Sequence, residues 1–175
     1  MIYEMLSEAN KDVFPRYHIQ LNLLKNCPQV IPTLASWLYE TWHPYDASVT
    51  RENFIQSFET RLNSDKIPIT FIALKEMVPV GMISLKKQTS PEFSDFPENR
   101  IWMSGLHVIP EERNRGLGED LLKFAANTAR SLGYKELYFF TSDLSKVQWY
   151  TKREAQILEE RPFRNHTIVI LYIPL

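Results

Sequence analysis

The chain has 175 residues and a mass of 20.6 kDa, a length that suits one domain with a sizeable core. Hydrophobic residues make up 44% and charged residues 23%, which is ordinary for a globular protein and argues against disorder. Lys and Arg total 20 against 21 Asp and Glu, a formal net charge of −1. A general nucleic-acid binder, which needs a clustered excess of cations, is therefore not expected.

The sequence carries no signal for export or for a membrane anchor. The single cysteine, Cys27, cannot form an intrachain disulfide, which suits a reducing compartment. The N-terminus mixes acids into its apolar residues, unlike a signal peptide. No stretch approaches the ~20 apolar residues of a membrane span. We therefore predict a cytoplasmic protein with no membrane contact and one domain over residues 1–175, of which 1–16 form an N-terminal extension.

Periodicity predicts the elements of the first half of the chain. Polar and apolar residues alternate over 17–24, as in a half-buried strand. Helical spacing of apolar residues begins at Pro28 and ends at His43, because the residue before a proline is pushed out of helical space. A second helix is expected after Thr50, a good N-cap. Strands over 69–74 and 80–85 follow, joined by a short turn.

The second half alternates strands and helices. A loop rich in Ser, Pro and acids is expected over 88–99. After it the pattern predicts a strand over 101–109, a helix over 117–132, a strand over 136–140, a helix over 145–153, and strands over 156–160 and 167–173. This order predicts a mixed α/β domain with a central sheet.

A glycine loop is the most informative feature of the sequence. The strand that ends near Ile109 runs into a short turn, where Gly116 and Gly118 open a long amphipathic helix. The first N–H groups of a helix have no internal partners and lie at the positive end of its dipole, so such a turn suits an anion such as a pyrophosphate. Arg113 and Arg115 add positive charge. A tight turn and close helix packing would also account for the glycines.

With these residues the chain resembles the GNAT superfamily of acyl-CoA-dependent N-acyltransferases. The family signature, [Q/R]-x-x-G-x-[G/A] after a strand, is filled by Arg113, Gly116 and Gly118. Further similar segments are Val78-Pro79-Val80-Gly81, Leu132-Gly133-Tyr134 and Trp149-Tyr150-Thr151-Lys152. The resemblance implies an α/β fold whose mixed, mostly antiparallel central sheet is flanked by helices on both faces. It also implies transfer of an acetyl group from acetyl-CoA to a primary amine by direct attack.

The resemblance assigns roles residue by residue. The backbone of Arg113, Asn114, Arg115, Gly116, Leu117 and Gly118 would bind the pyrophosphate of acetyl-CoA. Its pantetheine arm would pair with Leu106, His107 and Val108 like an added strand, and the Val108 N–H would face the thioester oxygen. Tyr150 matches the family's general acid, and a phenol is able to protonate a departing thiolate. Asp143 stands where the family often has an asparagine that contacts the cofactor.

The general base and the acceptor are less defined. Many relatives place a carboxylate on the signature strand, but none lies between Ile101 and Val108. His107, Glu98 or water near Ser104 remain open as the base. The expected acceptor contacts are Trp42, Trp102 and Ser104, although Trp42 also suits core packing. The acceptor is a small-molecule amine or a protein or peptide amine. No His or Cys spacing indicates a metal site.

Two alternatives stay open at this point. One is a non-catalytic acyl-CoA-binding sensor or interaction module of the same fold. The missing strand carboxylate favours it, as does the segment Glu154-Ala155, where the family often has Gly-Phe. The other is an interaction domain in which the glycine loop binds nothing. The sequence predicts no oligomeric state.

Overall fold

A single seven-stranded sheet runs through the molecule, with helices on both of its faces. The computed structural model describes residues 1–88 and 90–175. The strands are β1 (Gln20–Leu23), β2 (Ile69–Lys75), β3 (Val78–Lys86), β4 (Ile101–Val108), β5 (Glu136–Thr141), β6 (Gln156–Phe163) and β7 (His166–Pro174). The helices are α1 (Ile2–Asp12), α2 (Ile31–Trp42), α3 (Arg51–Glu59), α4 (Leu117–Ser131) and α5 (Leu144–Thr151).

The strands are ordered β1-β2-β3-β4-β5-β7-β6. Neighbours are antiparallel except β4 and β5, which are parallel. The predicted mixed, mostly antiparallel sheet with helices on both faces is therefore confirmed. Between residues 17 and 173 the predicted order of strands and helices is confirmed as well.

Alternation along the strands builds a core on each face of the sheet. In β2, Phe71 packs into a large cluster with residues of α1, α4 and α5, whereas its neighbour Ile72 packs into a second cluster with α2 and α3. A third, aromatic cluster forms around Trp102, Tyr138 and Phe163. Phe93 covers this cluster from the loop that is predicted over 88–99. The helices and this loop bury both faces.

The N-terminal region differs from the prediction. The strand expected over 17–24 is confined to Gln20–Leu23. The reason is that Tyr17 ends a short 3-10 turn and His18 takes a left-handed conformation with φ 57°, which breaks the extended run. Residues 2–12, expected to belong to an extension, form α1, whose Ile2 and Leu6 are buried in the large cluster.

The start of α3 follows the prediction. The Thr50 side chain accepts a hydrogen bond from the Asn53 N–H, and the Asn53 side chain accepts one from the Thr50 N–H. This capping box satisfies two of the N–H groups that helix geometry leaves without partners. Thr50 is thus confirmed as the N-cap.

A bulge in β4 and a split beside it interrupt the middle of the sheet. Ser84 lies opposite Ser104 while Met82 lies opposite His107, so β4 carries an extra residue near Gly105, whose φ is 64°. The bulge turns Ser104 and His107 to the same face. On the other side, β4 and β5 pair only at Ile101–Leu137 and Trp102–Tyr138. Beyond these pairs the two strands separate and leave a gap in the sheet.

Candidate functional site

Two adjoining cavities open at the gap between β4 and β5. The first, which we call the cleft, has a volume of about 370 Å³ and is walled by the end of α2, β4, the end of β5 and α5. The second, the side cavity, has a volume of about 440 Å³ and lies between α2, α3, β3, β4 and the turn from β6 to β7. Residues that line both are Leu38, Trp42, Met103, Ser104, Gly105 and Phe140. Both volumes lie within the range of small-molecule sites.

The glycine loop presents a row of unused backbone donors. In the part of the chain that the structure describes, no N–H from residue 114 to residue 119 donates a hydrogen bond. The first bonded N–H of α4 belongs to Asp120, which donates to the Gly116 carbonyl at 3.1 Å. The left-handed conformations of Asn114 (φ 59°) and Gly116 (φ 94°) shape this loop at the positive end of the helix. The residues present therefore fit a pyrophosphate.

A buried polar group supports the loop from behind. Asp120 accepts hydrogen bonds from the Tyr17 hydroxyl and from Arg16. A Cβ atom on Gly116 would lie 3.0 Å from the Tyr17 hydroxyl oxygen, so the fold itself requires glycine there. At Gly118 a Cβ would make only ordinary contacts with Val108 and Trp149, at 3.7 and 3.9 Å. A methyl group at Gly118 is thus tolerated by the surrounding fold.

Strand β4 turns backbone groups toward the gap. The Ile109 N–H donates to the Val80 carbonyl of β3 at 3.0 Å. Because antiparallel pairs alternate between bonded and non-bonded residues, the N–H of Val108 points away from β3. That direction faces the side where β5 has separated. The side chains of Leu106 and Val108 pack against the large core cluster, and His107 lies on the opposite face, against Trp37.

His107 lines the cleft but is a weak base. Its ring stacks on Trp37 at a centroid distance of 4.6 Å. Burial, with added repulsion from Arg113 and Lys146, lowers the pKa of His107 to about 4. The imidazole is therefore neutral near pH 7. Glu98, another base considered from the sequence, lines neither cavity.

Tyr150 faces the cleft from α5. It is 8% exposed, and its ring packs against Phe139 and Trp149 at centroid distances of 4.5 and 5.0 Å. Burial raises the pKa of Tyr150, which keeps the phenol protonated at neutral pH. Within the described residues its hydroxyl makes no hydrogen bond, so the proton is available to a bound molecule.

Asp143 lines the same cleft and caps α5. Its carboxylate accepts hydrogen bonds from the Ser145 N–H at 3.0 Å and from the Ser145 hydroxyl at 2.6 Å. The bond from the Ser145 hydroxyl is the largest cause of its lowered pKa. The carboxylate is therefore engaged with its own helix.

The residues predicted to contact the acceptor divide into two groups. Trp42 and Ser104 line both cavities, and the Ser104 hydroxyl is buried with no hydrogen-bond partner among residues 1–88 and 90–175. Trp102 is 2% exposed and packs among Phe93, Phe96 and Tyr138. It lines neither cavity, because it precedes the bulge and lies where β4 still pairs with β5. The structure does not bring Trp102 to the site.

Two cations of the side cavity were not predicted from the sequence. Arg61 and Lys86 both line it. Arg61 follows Phe58 at helical spacing, so a cation on the apolar face of the predicted second helix was the available signal. Lys86 directly follows the predicted strand over 80–85, and nothing in its spacing separates it from an exposed strand end.

The family assignment rests on a direct match. The model of the acetyltransferase (GNAT) family matches residues 31–153, more than half of the chain. The chain belongs to this family. An uncharacterized N-acetyltransferase of Schizosaccharomyces pombe is 32% identical over 100 residues, which make up 55% of this chain and 66% of that protein. The match thus spans just under two thirds of the relative's length.

Solved structures share the fold at low sequence identity. A GNAT family acetyltransferase from Elizabethkingia anophelis with acetyl-CoA bound has a TM-score of 0.61 and 17% identity, over 90% of this chain and 99% of that one. An aminoglycoside 6'-acetyltransferase type Ii has a TM-score of 0.65 and 19% identity, over 88% and 96% of the two chains. These similarities establish the fold.

Within residues 1–88 and 90–175, no helix is long and apolar enough to cross a membrane. Among the same residues, no group of three or more His, Cys, Asp or Glu side chains is placed to hold a metal ion.

Proposed function

We propose that the chain transfers an acetyl group from acetyl-CoA to the primary amine of a small acceptor. The observation that carries this proposal is the row of unused N–H groups over residues 114–119, at the head of α4 and beside the gap between β4 and β5. Membership of the GNAT family supports it. When bound, acetyl-CoA supplies an acetyl group activated as a thioester.

Different residues around the gap would bind different parts of acetyl-CoA. The backbone of Arg113 to Gly118 would hold the pyrophosphate through its N–H groups. Leu106, His107 and Val108 would hold the pantetheine arm along the open edge of β4, as an added strand is held. The Val108 N–H, directed into the gap, would stabilise negative charge on the thioester oxygen. Asp143 lies on the wall of the same cleft.

The acceptor would enter from the side cavity and reach the cleft at Ser104 and Trp42, which line both. Acetyl-CoA would supply a thioester carbonyl open to attack by the unprotonated nitrogen of the acceptor. Tyr150 would donate its proton to the sulfur as the carbon–sulfur bond breaks, and a proton from solvent would restore it. Water at Ser104 or the neutral His107 would accept the proton that the nitrogen loses.

Calorimetric titration with acetyl-CoA tests the loop. We expect micromolar affinity, about 8 kcal/mol. Gly118→Arg places a bulky side chain beside the unused N–H groups and should abolish binding, whereas Gly118→Ala adds only a Cβ with ordinary contacts and is the matched control. No binding by the unmodified protein at millimolar acetyl-CoA contradicts the proposed function. Unchanged binding in Gly118→Arg shows that the loop is not the cofactor site.

Tyr150→Phe tests the acid. Turnover, measured as thiol release, should fall roughly 100-fold because the leaving sulfur loses its proton donor. Affinity for acetyl-CoA should stay within about twofold, since the Tyr150 hydroxyl makes no hydrogen bond within the described fold. Tyr172→Phe, which removes a phenol bonded to Gln156, is the control. Unchanged turnover removes Tyr150 from the mechanism. Binding without thiol release across a broad amine panel supports the sensor module instead.

A further inference from the structure

The inner wall of the side cavity carries a buried guanidinium with no counter-charge. Arg61 is 5% exposed. It donates hydrogen bonds to the Ser57 hydroxyl at 2.6 Å and to the Ser84 hydroxyl at 3.1 Å, both neutral groups. No carboxylate forms an ion pair with it in the described part of the chain. Since a guanidinium has five N–H donors, three remain for another partner.

A second cation lines the same wall. Lys86, the last residue of β3, is partly buried and forms no ion pair with any residue that the structure describes. Burial and repulsion from Arg61 lower the pKa of Lys86 to about 8. The ammonium is still mostly protonated near pH 7. Two positive charges therefore line this cavity, close enough that Arg61 lowers the pKa of Lys86.

The acidic side chains near the cavity are already engaged elsewhere. Asp46 accepts hydrogen bonds from Arg164 and Ser48. Glu92 lies 3.5 Å from the Arg164 guanidinium. None of these carboxylates pairs with Arg61 or Lys86. Burying unpaired charge lowers the stability of the empty protein. Such a cost is typical of residues that are kept for binding rather than for stability.

We propose that the acceptor is a small amino acid whose carboxylate binds Arg61 and Lys86 in the side cavity, while its amino group reaches the cleft at Ser104. This inference rests on the proposed function. The planar fork of a guanidinium matches a carboxylate, and an ammonium adds a point charge. Four aromatic side chains, Trp42, Phe54, Phe93 and Phe140, also line this cavity and provide apolar surface. They suit the hydrocarbon body of such a molecule.

Binding is tested separately from acetyl transfer. Apolar α-amino acids and ω-amino acids of increasing length are titrated calorimetrically in the absence of acetyl-CoA, each beside its primary amide. The amide keeps the amine and removes the negative charge. We expect at least one amino acid to bind ten or more times more tightly than its amide. The same preference is expected in kcat/KM for thiol release.

Lys86→Met provides the matched variant, because it keeps the length of the side chain and removes the charge. We expect the preference for acid over amide to fall at least fivefold, with affinity for acetyl-CoA unchanged. Lys87→Met is the control, since Lys87 lies over the Tyr134 ring and lines neither cavity. Arg61→Lys, which retains a cation, should preserve part of the preference.

The outcomes distinguish the carboxylate site from the proposed acetyl transfer. Equal affinity for acids and amides overturns the carboxylate site, as does a preference that survives Lys86→Met or a panel in which no amino acid binds. Tight binding of phosphorylated amines alone also overturns it. Selective binding of amino acids without acetyl-CoA binding leaves the carboxylate site standing and contradicts only the proposed function.

Discussion

At the scale of single residues, Lys86 stands out because its ammonium forms no ion pair with any residue that the structure describes. Its pKa of about 8 in the folded chain lies below the ordinary lysine value of 10.5, so the unfolded chain binds more protons between these pH values. The free energy of unfolding therefore rises with pH across this window. Such a residue lowers the stability of the empty protein at neutral pH.

Lys86→Met should remove this pH dependence. We expect the variant to be more stable than the parent by about 2 kcal/mol at pH 7, and the difference to shrink as the pH rises from about 8 toward 10.5. Urea unfolding at pH 7 and pH 10 measures it, with Lys87→Met as the control for the general effect of lysine titration. A lower free energy of unfolding at pH 7 in Lys86→Met would show that Lys86 stabilises the fold.

The bulge at Gly105 gives a second prediction at this scale. A Cβ there would contact Leu38 and Met82 at an ordinary 3.6 Å, so sterics within the core are not the obstacle. The obstacle is the backbone conformation, because a φ of 64° is unfavourable for a residue with a side chain. Gly105→Ala should cost about 1–2 kcal/mol. Gly118→Ala, without a positive φ, should cost much less in the same denaturant titration.

At the scale of elements, α3 depends on its capping box. Thr50→Ala removes the side-chain acceptor of the Asn53 N–H and should lower the free energy of unfolding by about 1 kcal/mol. Glu59→Ala, at an exposed site on the same helix, should change it by less than about 0.5 kcal/mol. Equal losses would contradict the capping role. Urea titration followed by circular dichroism measures both.

The elements show what pattern alone predicts. Apolar spacing located the helices and strands after residue 17, and Tyr150 marked the cleft. The strand over 17–24 was too long, because the turn at Tyr17 and His18 has no periodic signature. Trp102 was expected at the acceptor site, but it lies where β4 still pairs with β5. The alternation of residues along one strand does not show where two strands separate.

Arg61 and Lys86 illustrate a different limit. Each lies at the end of an apolar run, where a basic residue ordinarily extends into solvent. Their meeting depends on how α3 packs against β3, two elements that are separated in the chain by β2. Periodicity describes the faces of one element at a time and does not report which charges from two elements share a cavity.

At the scale of the whole molecule, α1 is part of the folded domain. Its Leu6 is buried in the large core cluster, whereas Tyr3 on the same helix is exposed. Leu6→Ala should cost about 3 kcal/mol and lower the Tm by roughly 6–12 °C in a single transition. Tyr3→Ala should leave the Tm nearly unchanged. A separate early transition in calorimetry would show instead that α1 unfolds on its own.

The split between β4 and β5 divides the sheet mechanically. One arm holds β1 to β4 and the other holds β5 to β7, and the ladder that joins them has only the pairs Ile101–Leu137 and Trp102–Tyr138. This short ladder leaves backbone groups on the facing edges of β4 and β5 without strand partners. A ligand that bonds to both edges would complete the hydrogen bonding there. Amide hydrogen exchange in β4 after Trp102 should then slow on binding, while exchange in β2 stays the same.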